Sequence, residues 1–160
     1  MEVELSDTDI RRYIRNIIRY DDLINIDPNT LLSQLPVVIL YRTGPDYGHW
    51  TLLHKLDNGN IEFFDSYGFK PDTEFGFIGN EYQLPHYLWE LLGKLSKLTR
   101  IHYNQYPLQS QSRGVNTCGR WVILRHLFKF ADIDSFKKGL NEVASNLGIS
   151  YDEFVTKAIP

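Results

Sequence analysis

Residues 49–65 read HWTLLHKLDNGNIEFFD, and this stretch decides the fold. Two apolar runs flank the tetrapeptide Asp57-Asn58-Gly59-Asn60. Asn and Gly tolerate the positive φ values that tight hairpin turns require, so the stretch predicts two antiparallel strands. Antiparallel pairing would bring His49, at the start of the first strand, and Asp65, at the end of the second, to the same edge of a sheet.

The sequence around this hairpin predicts further strands and several helices. Apolar runs of strand length predict strands at residues 36–41, 49–55, 61–65 and 98–103. Helical spacing predicts a first helix that is capped by Ser6 and continues to Ile18. The other predicted helices begin near Pro85, Cys118, Asp134 and Ser150. This mixture of elements indicates an α+β protein.

Composition narrows the class of protein. The chain has 160 residues, of which 42% are hydrophobic and 23% are charged, so residues 1–160 are expected to form a single soluble domain. The net charge of −3 gives no general attraction to nucleic acid or anionic membrane. No apolar run approaches the roughly 20 residues that a membrane span needs, so we do not expect membrane insertion. The acidic start of the chain lacks the features of a secretory signal, so we do not expect secretion.

The single cysteine, Cys118, has the sequence context of a nucleophile. It lies where a polar loop changes into an apolar helical pattern, so we expect it in the first turn of a helix, which favours a thiolate. His49 could accept the thiol proton and later deliver it to a leaving amine. Asp65 would orient the imidazole and stabilise its cation. With one cysteine, neither an intramolecular disulfide nor a thiolate-rich metal site can form, and no metal or other cofactor is expected.

A glutamine in the loop before Cys118 could supply the oxyanion donor. Gln111 precedes Cys118 by seven residues, and its amide N–H would act together with the backbone N–H of Cys118. Gln105 and Gln109 lie in the same loop and compete on composition alone. Gly119 would keep side-chain bulk away from the nucleophile.

Each of these residues also has an ordinary structural interpretation. A cysteine at a helix start is commonly a small buried hydrophobe, and an aspartate before Ser-Tyr-Gly is commonly a turn residue. The chain also has four other histidines, at positions 54, 86, 102 and 126. The joint order His49, Asp65, Gln111, Cys118 is what favours a cysteine protease.

These motifs together resemble the adenain/Ulp1 superfamily of cysteine proteases. His49-Trp50 is followed sixteen residues later by Asp65-Ser66, and Gln111 precedes Cys118-Gly119 with a spacing closer to the adenoviral members. The short chain and the segment Thr117–Trp121 are most similar to the maturation proteases of virophages and Polinton-type elements. The resemblance covers about residues 36–130.

The resemblance implies a papain-like α+β fold, with a mixed or antiparallel sheet packed on a central helix that carries the nucleophile. It also implies cleavage of capsid or scaffold precursors at small-residue, Gly-containing sites, in the virion or the host cytoplasm. Trp50 would wall the narrow substrate groove; core packing is its alternative role. No second cysteine is available for a disulfide-linked activating peptide, and nucleic acid is expected to bind weakly or not at all.

Other functions stay open on the sequence. The first is a ubiquitin-like-protein protease of the same superfamily, and the second is an effector-type acetyltransferase, which would need a basic coenzyme A site. The third is a non-catalytic capsid-associated domain. Arg11, Arg15 and Arg19 are predicted to line one face of the first helix as a solvated surface, with a contact to phosphate or to an acidic partner as the alternative.

Overall fold

The computed structural model describes residues 4–43, 48–76, 78, 83–112 and 115–160. Its centre is a five-stranded sheet with the strand order β1-β2-β3-β4-β5. The strands are β1 Asn16–Arg19, β2 Val37–Arg42, β3 Gly48–Lys55, β4 Ile61–Phe64 and β5 Ile101–Tyr103. The two outer pairs are parallel and the two inner pairs are antiparallel, so the sheet is mixed. The protein is therefore an α+β protein, as the sequence predicted.

Helices cover both faces of this sheet. Within the described ranges they are α1 Asp7–Arg11, α2 Pro28–Ser33, α3 Tyr87–Leu95, α4 Cys118–Leu127, α5 Ile133–Leu147 and α6 Tyr151–Ala158. Two short 3₁₀ helices span Tyr20–Asn25 and Thr73–Gly76. No helix in the described part of the chain has the length and apolar character that a membrane crossing requires.

The two faces of the sheet bury separate hydrophobic cores. One face packs against α4, α5 and α6, and its core contains Trp50, Leu52 and Trp121. The other face packs against α3, and its core contains Leu53 and Phe63. Because both faces are covered, the central strands β2, β3 and β4 are buried over almost their whole length instead of alternating with exposed residues. Helix α4 is itself buried from Cys118 to Arg125 and crosses the first face.

The predicted hairpin is confirmed. Strands β3 and β4 pair with Leu52 opposite Phe64, and Gly59 in the turn has a φ of +91°. At the other end of β3, a Cβ atom on Gly48 would lie only 1.9 Å from the carbonyl oxygen of Tyr41. Only glycine therefore allows β3 to begin so close to β2, immediately before His49.

The predicted first helix is wrong beyond its first turns. The Ser6 cap is present, but α1 ends at Arg11, and Ile17 and Ile18 lie in β1, which pairs in parallel with β2. Consecutive isoleucines fit a helical face and a strand equally well, and the vacant edge of β2 decides in favour of the strand. The predicted basic face of one helix therefore does not exist, because Arg15 and Arg19 lie beyond the end of α1.

Candidate active site

His49 and Asp65 meet at one edge of the sheet, where the hairpin predicted them. His49 is the second residue of β3, and Asp65 follows the last residue of β4. The imidazole Nε2 lies 2.8 Å from Asp65 Oδ1, and both side chains are buried. The carboxylate therefore fixes which ring nitrogen carries a proton, leaving Nδ1 for another partner.

Cys118 lies next to the same imidazole. It is the first residue of α4 and is buried, and its thiol is close enough to His49 to contribute to the raised pKa of that ring. Thiol and imidazole both line a cavity of about 150 Å³, together with Tyr67 and Gln109. Three side chains from separate parts of the sequence thus meet beside the cavity, with Asp65 hydrogen-bonded to His49 and Cys118 next to the same imidazole.

The electrostatics of the site favour a protonated imidazole. Burial lowers the pKa of His49, but the charge and hydrogen bond of Asp65, with a further contribution from Cys118, raise this pKa well above its ordinary value. The free N–H groups at the start of α4 also favour negative charge on Cys118. An imidazolium next to a thiolate is the arrangement that a cysteine nucleophile requires.

Two residues that sequence reasoning did not name hold the His49–Asp65 pair in place. The Tyr67 ring stacks on the His49 imidazole with centroids 4.5 Å apart, and the Tyr67 N–H donates to Asp65 Oδ1 over 2.8 Å. Asn104 Nδ2 donates to the Asp65 carbonyl over 2.7 Å. Tyr67 could have been predicted from the sequence, since it lies two residues after Asp65. Asn104 carries no sequence signal, because its contact depends on the pairing of β5 with β4.

The structure brings Gln109, not the predicted Gln111, to the nucleophile. Gln109 is buried and lines the Cys118 cavity, whereas Gln111 is exposed and is not part of the cavity wall. The backbone N–H of Gln109 donates to the carbonyl of Ser66 over 2.9 Å, which turns the Gln109 side chain inward. The prediction is corrected accordingly: spacing from the cysteine indicated the loop, but a contact with a distant residue decides which glutamine faces the site.

The two residues predicted to bind substrate are also placed differently. A Cβ atom on Gly119 would lie 3.2 Å from Leu5 Cβ and 3.4 Å from Trp50 Cδ1, so Gly119 allows close packing of α4 and faces the core, not the cavity. Trp50 is buried in the same core and lines a second cavity, of about 690 Å³. Glu4 lines both cavities, which places Trp50 beside the nucleophile's cavity but not in its wall.

Asp152 connects the glutamine loop to the nucleophile helix. One of its carboxylate oxygens accepts the Thr117 hydroxyl over 2.6 Å and Trp121 Nε1 over 3.2 Å. The other oxygen accepts the Ser110 N–H over 2.8 Å. Asp152 lies in the first turn of α6, where the helix favours a carboxylate. The C-terminal helix therefore sets the distance between Gln109 and Cys118, a role that its capping sequence did not reveal.

The described residues offer no metal site. Within the described ranges, no group of three or more His, Cys, Asp and Glu side chains lies close enough to hold a metal ion.

Comparisons with known proteins relate the chain to a protein of a virophage. No family model matches it. Over 165 residues it is 35% identical to the uncharacterized protein V9 of the Sputnik virophage, a match that covers 97% of this chain and 93% of that protein. Among solved structures, it is similar to the central domain of the uncharacterized Lpg1148 protein from Legionella pneumophila. That match has a TM-score of 0.42 and 16% identity and covers 99% of this chain and 86% of the other.

Proposed function

This chain belongs to the family of protein V9 of the Sputnik virophage, and we propose that it is a cysteine endopeptidase with a papain-like arrangement of its site. The observation that carries the proposal is the buried hydrogen bond between His49 and Asp65 with the Cys118 thiol next to the same imidazole, beside a cavity and at the start of a helix. A structural cysteine needs neither the histidine with a raised pKa nor the cavity.

Each of the three side chains, Cys118, His49 and Asp65, has one task in peptide cleavage. The Cys118 thiolate attacks the scissile carbonyl carbon, and the carbonyl π electrons move to its oxygen. When the tetrahedral intermediate collapses, the C–N bond breaks, and the His49 imidazolium gives its proton to the leaving amine. A thioester remains. His49, now neutral, deprotonates a water molecule that attacks this thioester; the C–S bond then breaks, the acid product leaves, and the thiolate is restored beside the imidazolium. Asp65 keeps the imidazole oriented throughout.

The oxyanion has two candidate donors. The Cys118 backbone N–H has no acceptor within α4, because the first N–H groups of a helix lack intrahelical partners. The Gln109 amide lines the same cavity, and its Nε2 lies 3.5 Å from the Val115 carbonyl, at the limit of a hydrogen bond. Its N–H groups are therefore held only weakly and can donate to the oxyanion, which is the role the sequence assigned to Gln111.

The substrates we propose are capsid or scaffold precursors that are cut during virion maturation, in the virion or the host cytoplasm. The virophage relative supports this setting. The cavity beside Cys118 has only about 150 Å³, which supports small residues, glycine among them, next to the scissile bond. The larger cavity lined by Trp50 and Glu4 would take residues further along an extended peptide.

The test is cleavage of co-encoded precursor proteins, read by intact mass. The wild-type protein is expected to shorten one or more precursors, and Cys118→Ala is expected to shorten none. A peptide spanning the cleavage site then compares Gln109→Ala with the matched control Gln111→Ala. Removing one oxyanion donor lowers kcat by about 10²–10³, so we expect this loss for Gln109 and no loss for Gln111.

Three outcomes would contradict the proposal. Cleavage that persists in Cys118→Ala would show that Cys118 is not the nucleophile. Equal kcat values for Gln109→Ala and wild type would show that Gln109 does not stabilise the oxyanion. Precursors left intact while ubiquitin-like conjugates are cleaved would favour deconjugation over virion maturation.

A further inference from the structure

We infer that Ser66 is a positioning residue that holds the Gln109 side-chain amide with its N–H groups toward the oxyanion. The inference rests on the proposed function of the Cys118 site and adds a residue that contacts neither substrate nor nucleophile. It concerns the orientation of one amide group, which can face the cavity with either its nitrogen or its oxygen.

Ser66 holds Gln109 by both its backbone and its side chain. The Ser66 carbonyl accepts the N–H groups of Leu108 and Gln109, each over 2.9 Å. The Ser66 hydroxyl lies 2.6 Å from Gln109 Oε1, and this oxygen can only accept, so the hydroxyl donates. Ser66 is completely buried, which excludes water as a competing partner.

A second contact supports the same amide orientation. Gln109 Nε2 faces the Val115 carbonyl at 3.5 Å. If the amide were rotated by half a turn, Oε1 would face this carbonyl, and two acceptors would oppose each other without a proton between them. The hydroxyl on one side and the carbonyl on the other therefore select the orientation with the nitrogen toward the Val115 side of the cavity.

This orientation matters because an amide has two opposite ends. Its N–H groups stabilise an oxyanion, whereas its carbonyl oxygen would repel one. Without the Ser66 hydroxyl, Oε1 would be buried without a donor, and rotation of the amide would no longer be opposed. Ser66, which follows Asp65 in the chain, would thus orient the oxyanion donor Gln109, while Asp65 orients His49. One short segment would position both side chains.

The experiment compares Ser66→Ala with wild type in the full-length protein. The substitution removes a single oxygen atom and leaves both backbone hydrogen bonds in place. We expect kcat for the cleavage-site peptide to fall by up to about the 10²–10³-fold caused by loss of an oxyanion donor, with KM unchanged. In a Gln109→Ala background, Ser66→Ala should have no further effect on kcat. Ser112→Ala, at an exposed serine in the same loop, is the matched control and should retain wild-type kcat.

Alkylation of Cys118 separates positioning from structural damage. Reaction of the thiolate with iodoacetamide forms no oxyanion, so its rate should be the same in Ser66→Ala and wild type. Gln109→Glu gives an independent reading: its carboxylate can accept the Ser66 hydroxyl but has no N–H to offer, so kcat should fall at least as far as in Gln109→Ala.

The inference is overturned if Ser66→Ala keeps wild-type kcat, if its effect adds in full to that of Gln109→Ala, or if alkylation slows together with turnover. Retained kcat in Gln109→Glu would overturn it as well. These failures differ from failure of the proposed function, which would show as turnover that does not depend on Cys118.

Discussion

The hairpin of β3 and β4 carries two buried histidine–carboxylate pairs, and they have opposite properties. His49 Nε2 lies 2.8 Å from Asp65 Oδ1, and five residues further along the same strand His54 Nε2 lies 2.7 Å from Glu62 Oε2. All four side chains are buried. The same kind of pair thus occurs near both ends of β3.

The third partner of each pair accounts for the difference. Cys118, at the start of α4, acts with Asp65 to raise the pKa of His49 well above its ordinary value, against the lowering effect of burial. Near the other end of α4, Arg125 binds Glu62 with two hydrogen bonds of 2.8 and 3.0 Å. There, burial and the positive charge of Arg125 lower the pKa of His54, against the raising effect of Glu62.

The comparison shows that a buried histidine–carboxylate pair does not fix the charge of its histidine by itself. Where the guanidinium already neutralises the carboxylate, the histidine stays neutral and the cluster supports the fold. Where the thiol of Cys118 takes the place of a guanidinium, the histidine supplies the positive charge. The two ends of α4 therefore give the two pairs opposite charge states.

The sharpest test of this contrast is to replace each histidine by glutamine. His49→Gln removes the acid and base and should lower kcat for the cleavage-site peptide by about 10²–10⁴, and it should also lower the melting temperature, because the buried Asp65 carboxylate loses its imidazolium partner. His54→Gln should lower the melting temperature and leave the kcat of the folded protein unchanged. Peptide kinetics and thermal denaturation of both variants would check this. The contrast would fail if His54→Gln reduced kcat as much as His49→Gln.

Replacing Arg125 by methionine should break the structural pair. Glu62 would remain as a fully buried carboxylate without its bidentate partner, and loss of one member of such a pair costs about 3–5 kcal/mol. The control is Arg11→Met, since Arg11 pairs with Asp7 on the surface over 2.9 Å and such pairs contribute only about 0–1 kcal/mol. Urea denaturation would measure both.

A second substitution tests the cause of this loss. Glu62→Gln combined with Arg125→Met should recover part of the stability, because the buried charge is then gone. If the double variant were no more stable than Arg125→Met alone, an unpaired carboxylate would not be the source of the loss.

The smallest expected effect is on the pH dependence of stability. His54 Nδ1 lies 3.1 Å from His126 Nδ1, and burial, together with neighbouring positive charge, lowers the pKa of His54 and brings that of His126 to about 4. Below pH 6.5 the unfolded chain therefore binds protons that these residues do not bind in the folded state, so the free energy of unfolding should fall between pH 6.5 and about 4.

His49 should act with the opposite sign. Because its pKa is raised on folding, it contributes stability below pH 6.5, which is lost as the pH rises through its higher folded pKa. Thermal melts from about pH 4 up through the raised folded pKa of His49 would show both trends. His126→Gln should flatten the fall in melting temperature on the acid side of pH 6.5. An unchanged acid slope in His126→Gln would contradict the assignment of that proton to the His54–His126 contact.

The sequence alone determined the features that depend on neighbours a few residues apart. The hairpin turn at residues 57–60 and the Ser6 cap are present as predicted, and the Ser150 cap and the left-handed Gly148 that ends α5 are features of the same local kind. The hairpin geometry is also why the meeting of His49 and Asp65 could be predicted. A hydrogen bond that closes within one turn needs nothing from the rest of the chain.

Only the tertiary structure decided which residues complete the site. Gln109 faces the cavity because of Ser66, 43 residues away, and Thr117 is tied to Asp152 over 35 residues. Ile17 became part of a strand because β2 offered an edge. Such contacts depend on how α6, the sheet and the loop before α4 pack together. Neither periodicity nor motif spacing encodes that packing. Gln109 is buried and Gln111, two residues later in the same loop, is exposed, so the path of the loop decides which glutamine faces the site.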